Sequence, residues 1–145
     1  MDDTDLRQQL ERRILHGLAL EWEAALGVLG PYNRSRMRKP FFRLKALKDR
    51  LGYWSGDRRE ICLSTGLVFR HPWDAVREVL IHEMAHQFAH EVLGAQNGPA
   101  HGAQFHEACH LLRANPKASG SYPALHERIR VNGQNGKDRI LLRIQ

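Results

Sequence analysis

Apolar residues recur every four positions near the start of the chain: Leu6, Leu10, Ile14, Leu18 and Trp22, with Leu15, Ala19, Leu26 and Leu29 beside them. This spacing marks one face of a helix and predicts a helix over residues 5–29. Thr4 is a suitable N-cap, and Gly30-Pro31 supplies the stop. Residues 31–40 read as a basic loop carrying Arg34, Arg36, Arg38 and Lys39. The pattern then shortens. Phe41–Leu47, Leu51–Trp54 and Glu60–Leu63 read as three strands, with Gly56-Asp57 turning between the last two.

A second long helix opens at His71-Pro72-Trp73-Asp74. Pro72 suits the first helical position, and Asp74 suits the positive end of the helix dipole. It runs to about Leu93, where Gly94 is a natural stop. Asn97-Gly98-Pro99 reads as a turn, and a third helix spans Ala100–Ala114 until Asn115-Pro116 closes it. Residues 1–116 thus form one domain. The Gly-, Asn-, Ser- and Lys-rich stretch from 117 reads as a flexible tail to 145. Its last segment, Asp138–Gln145, either opens a following domain or docks back as a strand or helix.

The length of 145 residues suits this single domain. No apolar run approaches the ~20 residues needed to span a bilayer. The acidic start, Met1-Asp2-Asp3-Thr4-Asp5, lacks the basic and apolar parts of a secretory signal. Two cysteines, Cys62 and Cys109, make no disulfide framework, so a cytoplasmic setting is expected. The net charge of +6 and pI of about 9.8 favour acidic partners, nucleic acid first. A solvated basic face accounts for the charge equally well.

The chemistry concentrates in His82-Glu83-Met84-Ala85-His86. Positions four apart on a helix share a face, so both imidazoles can reach one ion at roughly 2.0–2.1 Å. Glu83 is rotated by about 100° from His82. Its carboxylate misses the ion but can reach a water held there, which is where a general base is needed.

A catalytic zinc also needs a third protein ligand and an open position. His90, His101, His106, Glu107, His110 and His126 are the candidates. On the third helix Phe105, Ala108, Cys109 and Leu112 form the apolar stripe. His101, four residues before Phe105, falls on its inward side, whereas His106, Glu107 and His110 point sideways or outward. His101 is therefore the expected third ligand. His106-Glu107-Ala108-Cys109-His110 repeats the five-residue pattern, with His126 as a conceivable partner, but its histidines flank the stripe on a shorter helix. His90 reads as a pocket-rim group. A closed structural zinc would recruit Cys109 or His110 as a fourth ligand.

Leu51-Gly52-Tyr53-Trp54, Arg59-Glu60-Ile61-Cys62-Leu63-Ser64, Val79-Leu80-Ile81-His82-Glu83-Met84-Ala85-His86 and His101-Gly102-Ala103-Gln104-Phe105, in this order, resemble the SprT-like metallopeptidases, the family that includes Spartan. The resemblance covers roughly residues 20–115. It implies a zincin-like α+β domain of the minigluzincin type: an N-terminal helix, a small three-stranded sheet, an active-site helix and a second ligand-bearing helix. It implies zinc on His82, His86 and His101, with Glu83 catalytic. Several members degrade proteins bound or crosslinked to DNA. The sequence lacks the metzincin extension, having Ala89 and Val92 at the relevant positions, and lacks the Cys-x-x-Cys ribbon that many members carry.

The function expected is that of a zinc endopeptidase acting on protein or peptide, with substrate extended along the strand Glu60–Leu63. DNA contact would fall to Arg34, Arg36, Arg38 and Lys39, with Arg58 and Arg59 nearby. Tyr53 and Trp54 read as core packing ahead of base stacking. The competing reading is a zinc-stapled DNA-binding or interaction module without catalysis.

Overall fold

A computed structural model describes residues 2–95 and 100–116, together with the backbone of two short strands at 121–122 and 142–143. Helix α1 (Asp3–Ala25) ends in a 3-10 turn (Leu26–Val28) and is followed by α2 (Pro31–Ser35), β1 (Phe41–Lys45), β2 (Gly52–Ser55), β3 (Glu60–Ser64), α3 (Thr65–Arg70), α4 (Trp73–Glu91) and α5 (Ala103–Leu112). The architecture is α+β, as the sequence implies.

Helix α4 is the axis of the fold. It is buried along most of its length and packs against α5, α1 and β2. Val76, Val79, Leu80, Met84, Ala85 and Phe88 are fully buried along it. Leu18 and Trp22 of α1 join them, as do Ile61, Leu63 and Leu67. The regular stripe of α1 overstates its buried face, since Leu6 and Leu10 are 58% and 45% exposed. A repeat of four identifies a face but not how far a partner extends along it.

The sheet order is β1-β3-β2. β1 runs parallel to β3 with Phe41 opposite Glu60, and β2 runs antiparallel to it with Gly52 opposite Leu63. β3 is therefore the middle strand, buried at all five positions. This corrects the expectation that Glu60–Leu63 offers substrate an edge. Both of its sides are already paired, and the edge facing α4 belongs to β2. Gly52 permits the close approach there: a Cβ would lie 2.8 Å from Leu63 Cδ2 and 2.9 Å from the Cys62 carbonyl oxygen.

Several boundaries also differ. The N-cap of α1 is Asp2, not Thr4, and its carboxylate accepts from the Asp5 N–H at 2.8 Å. The expected loop at 31–40 begins as α2, with Pro31 in its first turn. Pro72 is the N-cap of α4 rather than its first residue. α3 has no apolar repeat to announce it; Ser64 caps it by accepting from the Gly66 N–H. α5 begins at Ala103, later than expected, and ends where Arg113 takes the left-handed conformation at φ 57°.

A partly buried polar network ties the approach to β1 onto α4. Trp22 Nε1 donates to Gln87 Oε1 at 3.0 Å, and Gln87 Nε2 donates to the Arg38 carbonyl at 2.7 Å and to Glu91 Oε1 at 3.0 Å. Arg59 closes it, gripping both Glu91 oxygens and donating to the Arg38 carbonyl at 3.1 Å.

Strand β4 (Ser121–Tyr122) pairs antiparallel with β5 (Leu142–Arg143). Most of the expected tail and the turn at 97–99 lie outside the described residues.

Candidate metal centre

His82 and His86 face the same way from consecutive turns of α4. His101 does not sit on α5, as its stripe predicts, but in the turn just before it. The three nonetheless converge, with one ligand atom from each within 4.8 Å of the others. Ring centroids lie 4.9 Å apart for His82–His86 and His86–His101, and 5.6 Å apart for His82–His101. Phe105, from the first turn of α5, is their common floor. It stacks on His86 at 4.2 Å and meets His82 and His101 edge-on at 4.9 and 4.7 Å.

The orientation of His82 is set from behind. Its Nδ1 lies 3.0 Å from the Asn115 carbonyl oxygen. A carbonyl can only accept, so Nδ1 carries the proton and Nε2 keeps its lone pair for an ion. The side chain of Asn115 is anchored in turn, donating from Nδ2 to Glu78 Oε1 at 3.1 Å. Burial holds the His101 imidazole below its ordinary pKa, and His106 pushes the same way, favouring the neutral form that binds metal.

The residues fit a cation. The Nε2 atom of His101 and both oxygens of Glu83 are buried with no hydrogen-bond partner among the described residues. Each such group costs about 1–3 kcal/mol if left so. Glu83 is completely buried, and burial drives its carboxyl well above the ordinary range, against the pull of the Arg50 charge. A dication on the three imidazoles would favour its ionised form. Three imidazole nitrogens suit zinc better than calcium or magnesium, which prefer oxygen.

Glu83 and His86 open onto a cleft of about 590 Å³ between β2 and α4, whose rim includes Arg50, Tyr53, Trp54 and His90. Tyr53 is not the core residue expected. It lines this cleft under the Arg50 guanidinium, which lies 4.3 Å from its ring centroid.

The second five-residue pattern forms no centre among the described residues. His106, Glu107 and His110 are exposed on α5, and Cys109 is buried beneath them. His126 lies outside the described residues. Neither Cys109 nor His110 joins the three-histidine group, so the fourth ligand of a closed site is not found there. Within the basic segment, Arg34 donates to the Leu29 carbonyl, Arg36 to the Val92 carbonyl, and Lys39 pairs with Glu23. Arg59 is committed to Glu91, while Arg58 lies 3.5 Å from Glu60. The sequence reading missed Asn115 and Glu78. Asn115 had looked only like a helix stop, and its contribution comes from a backbone oxygen that no side-chain pattern encodes.

The sequence matches the SprT-like family over residues 7–124. No curated protein matches it. Among solved structures, the fold is distantly similar to the metallopeptidase zymogen of Pyrococcus abyssi abylysin. The identity is 18% and the TM-score 0.48, over 86% of this chain and 98% of that one.

Proposed function

The chain belongs to the SprT-like family, and from that premise we propose that it is a zinc-dependent endopeptidase, with His82, His86 and His101 as ligands and Glu83 as general base. One observation carries the reading: three imidazoles converge beside a buried, unpartnered carboxylate at the floor of a cleft. Zinc held there supplies Lewis-acid polarisation of the scissile carbonyl and lowers the pKa of water. Glu83 takes the proton from the attacking water and returns it to the leaving amine nitrogen. Phe105 and the Asn115 carbonyl keep the imidazoles aimed. Substrate lies extended along the free edge of β2, which borders the cleft.

The test is Glu83→Gln. The variant is expected to retain zinc and lose all peptide cleavage; cleavage that persists, after contaminating protease is excluded, overturns the mechanism.

The proposal extends to DNA-bound protein substrates in the cytoplasm. Its support is the net charge of +6 and the exposed positions of Arg34, Arg36, Arg38 and Lys39. DNA should then stimulate cleavage, and its binding should weaken steeply with salt. Equal binding after charge reversal at these four positions would remove this extension while leaving the peptidase intact.

A further inference from the structure

His90 lies on α4 one turn beyond His86 and lines the same cleft as Glu83. Its ring is held in a built seat. Trp54 Nε1 donates to His90 Nδ1 at 3.2 Å. An indole N–H can only donate, so Nδ1 must be the unprotonated nitrogen and the neutral ring carries its proton on Nε2. The ring rests against the backbone at Gly56, where any added Cβ would run into it. Trp54 flanks it with the ring centroids 6.2 Å apart. The tautomer and the position are thus both fixed, and no acceptor for the Nε2 proton is present among the described residues.

We propose that His90, locked by Trp54, forms a subsite that donates a hydrogen bond from Nε2 to a backbone carbonyl of the bound peptide. The inference rests on the peptidase reading above. Four residues along α4 correspond to about 6 Å. That distance takes His90 away from the bond being cut. An extended substrate rises about 3.3 Å per residue, so the carbonyl met is about two residues from the scissile bond. The contact is the same in the ground and transition states. Its loss therefore raises KM and leaves kcat in place. Trp54 is a positioning residue that acts through His90.

The experiment compares wild type, Glu83→Gln, His90→Phe, His90→Gln and Trp54→Phe, all zinc-loaded, on a long peptide and on one cut short of the subsite. His90→Phe keeps a ring and removes the donor. It should raise KM about three- to tenfold on the long peptide, with kcat retained, and should match wild type on the short one. His90→Gln, which restores a donor, should recover part of the loss. Independently of turnover, nitrogen-15 spectra of the wild-type imidazoles should show His90 protonated at Nε2, and Trp54→Phe should mix the two tautomers. Wild-type KM for His90→Phe on the long peptide, or a His90 protonated at Nδ1, overturns the subsite and leaves the peptidase standing. Absence of Glu83-dependent cleavage in wild type overturns the peptidase reading and the subsite with it.

Discussion

The imidazole of His82 meets the Asn115 carbonyl at 3.0 Å, so a residue beyond the end of α5 fixes the aim of a ring in the middle of α4. Asn115 is itself held by Glu78, one turn before His82 on the same helix. Glu78→Ala or Asn115→Ala should free this support without altering any of the three proposed ligands. Zinc affinity is expected to fall about tenfold or more, measured by competition against a chelator. Circular dichroism should stay that of wild type. Unchanged affinity in both variants would show that the carbonyl holds its place unaided.

Gly52→Ala should be costly. The new methyl would press on Leu63 and on the Cys62 carbonyl, and backbone cannot rotate away as a side chain can. A loss of about 1–3 kcal/mol is expected, read from urea unfolding. Because β2 borders the cleft, KM should rise as well.

The Arg59–Glu91 pair sets a pH dependence. Burial pushes the Glu91 carboxyl upward, but hydrogen bonds from Arg59 and Gln87 outweigh it and leave it below its ordinary value. A depressed carboxyl stabilises the fold above its unfolded pKa of about 4.3. That contribution disappears as pH falls through the lower folded value. Wild type should therefore exceed Glu91→Gln in stability at pH 6, and the gap should narrow steadily below pH 4. Urea midpoints measured across this range check the sign; a gap that widens with acid contradicts it.

Both thiols should be inert in the native state. Burial raises the Cys62 thiol and pushes Cys109 up to about 12. Neither forms thiolate near neutrality, so Ellman's reagent should label neither cysteine until the chain is unfolded. The same shift works against the fold in alkali. Its contribution is whole below the usual thiol pKa of about 8.5 and declines as pH climbs toward the folded value.

The spacing of His82, Glu83 and His86 was readable because helical geometry converts sequence distance directly into direction. The three strands were readable as short apolar runs, but their order was not, since a period of two fixes faces and says nothing of neighbours. That is why β3 passed for an edge. His101 comes close to His82 and His86 from a turn, not from the helix that its apolar stripe predicts. The charge of the basic segment is visible in the sequence, whereas the carbonyls to which the exposed Arg34 and Arg36 donate are not. Trp54 packs against the core as expected while also lining the cleft, whereas Tyr53 only resembles a core residue, because an aromatic at a cleft wall and one in an interior have the same local pattern.

The turn that presents His101 gives the chain two kinds of fastening. Trp22, Leu80 and Phe88 close the interior with no help from an ion. The grip of an ion on His101 would add a clasp between α4 and the approach to α5, beside the cleft. Stripping such an ion should loosen that clasp while the apolar interior stays packed, so its loss and return should need no refolding.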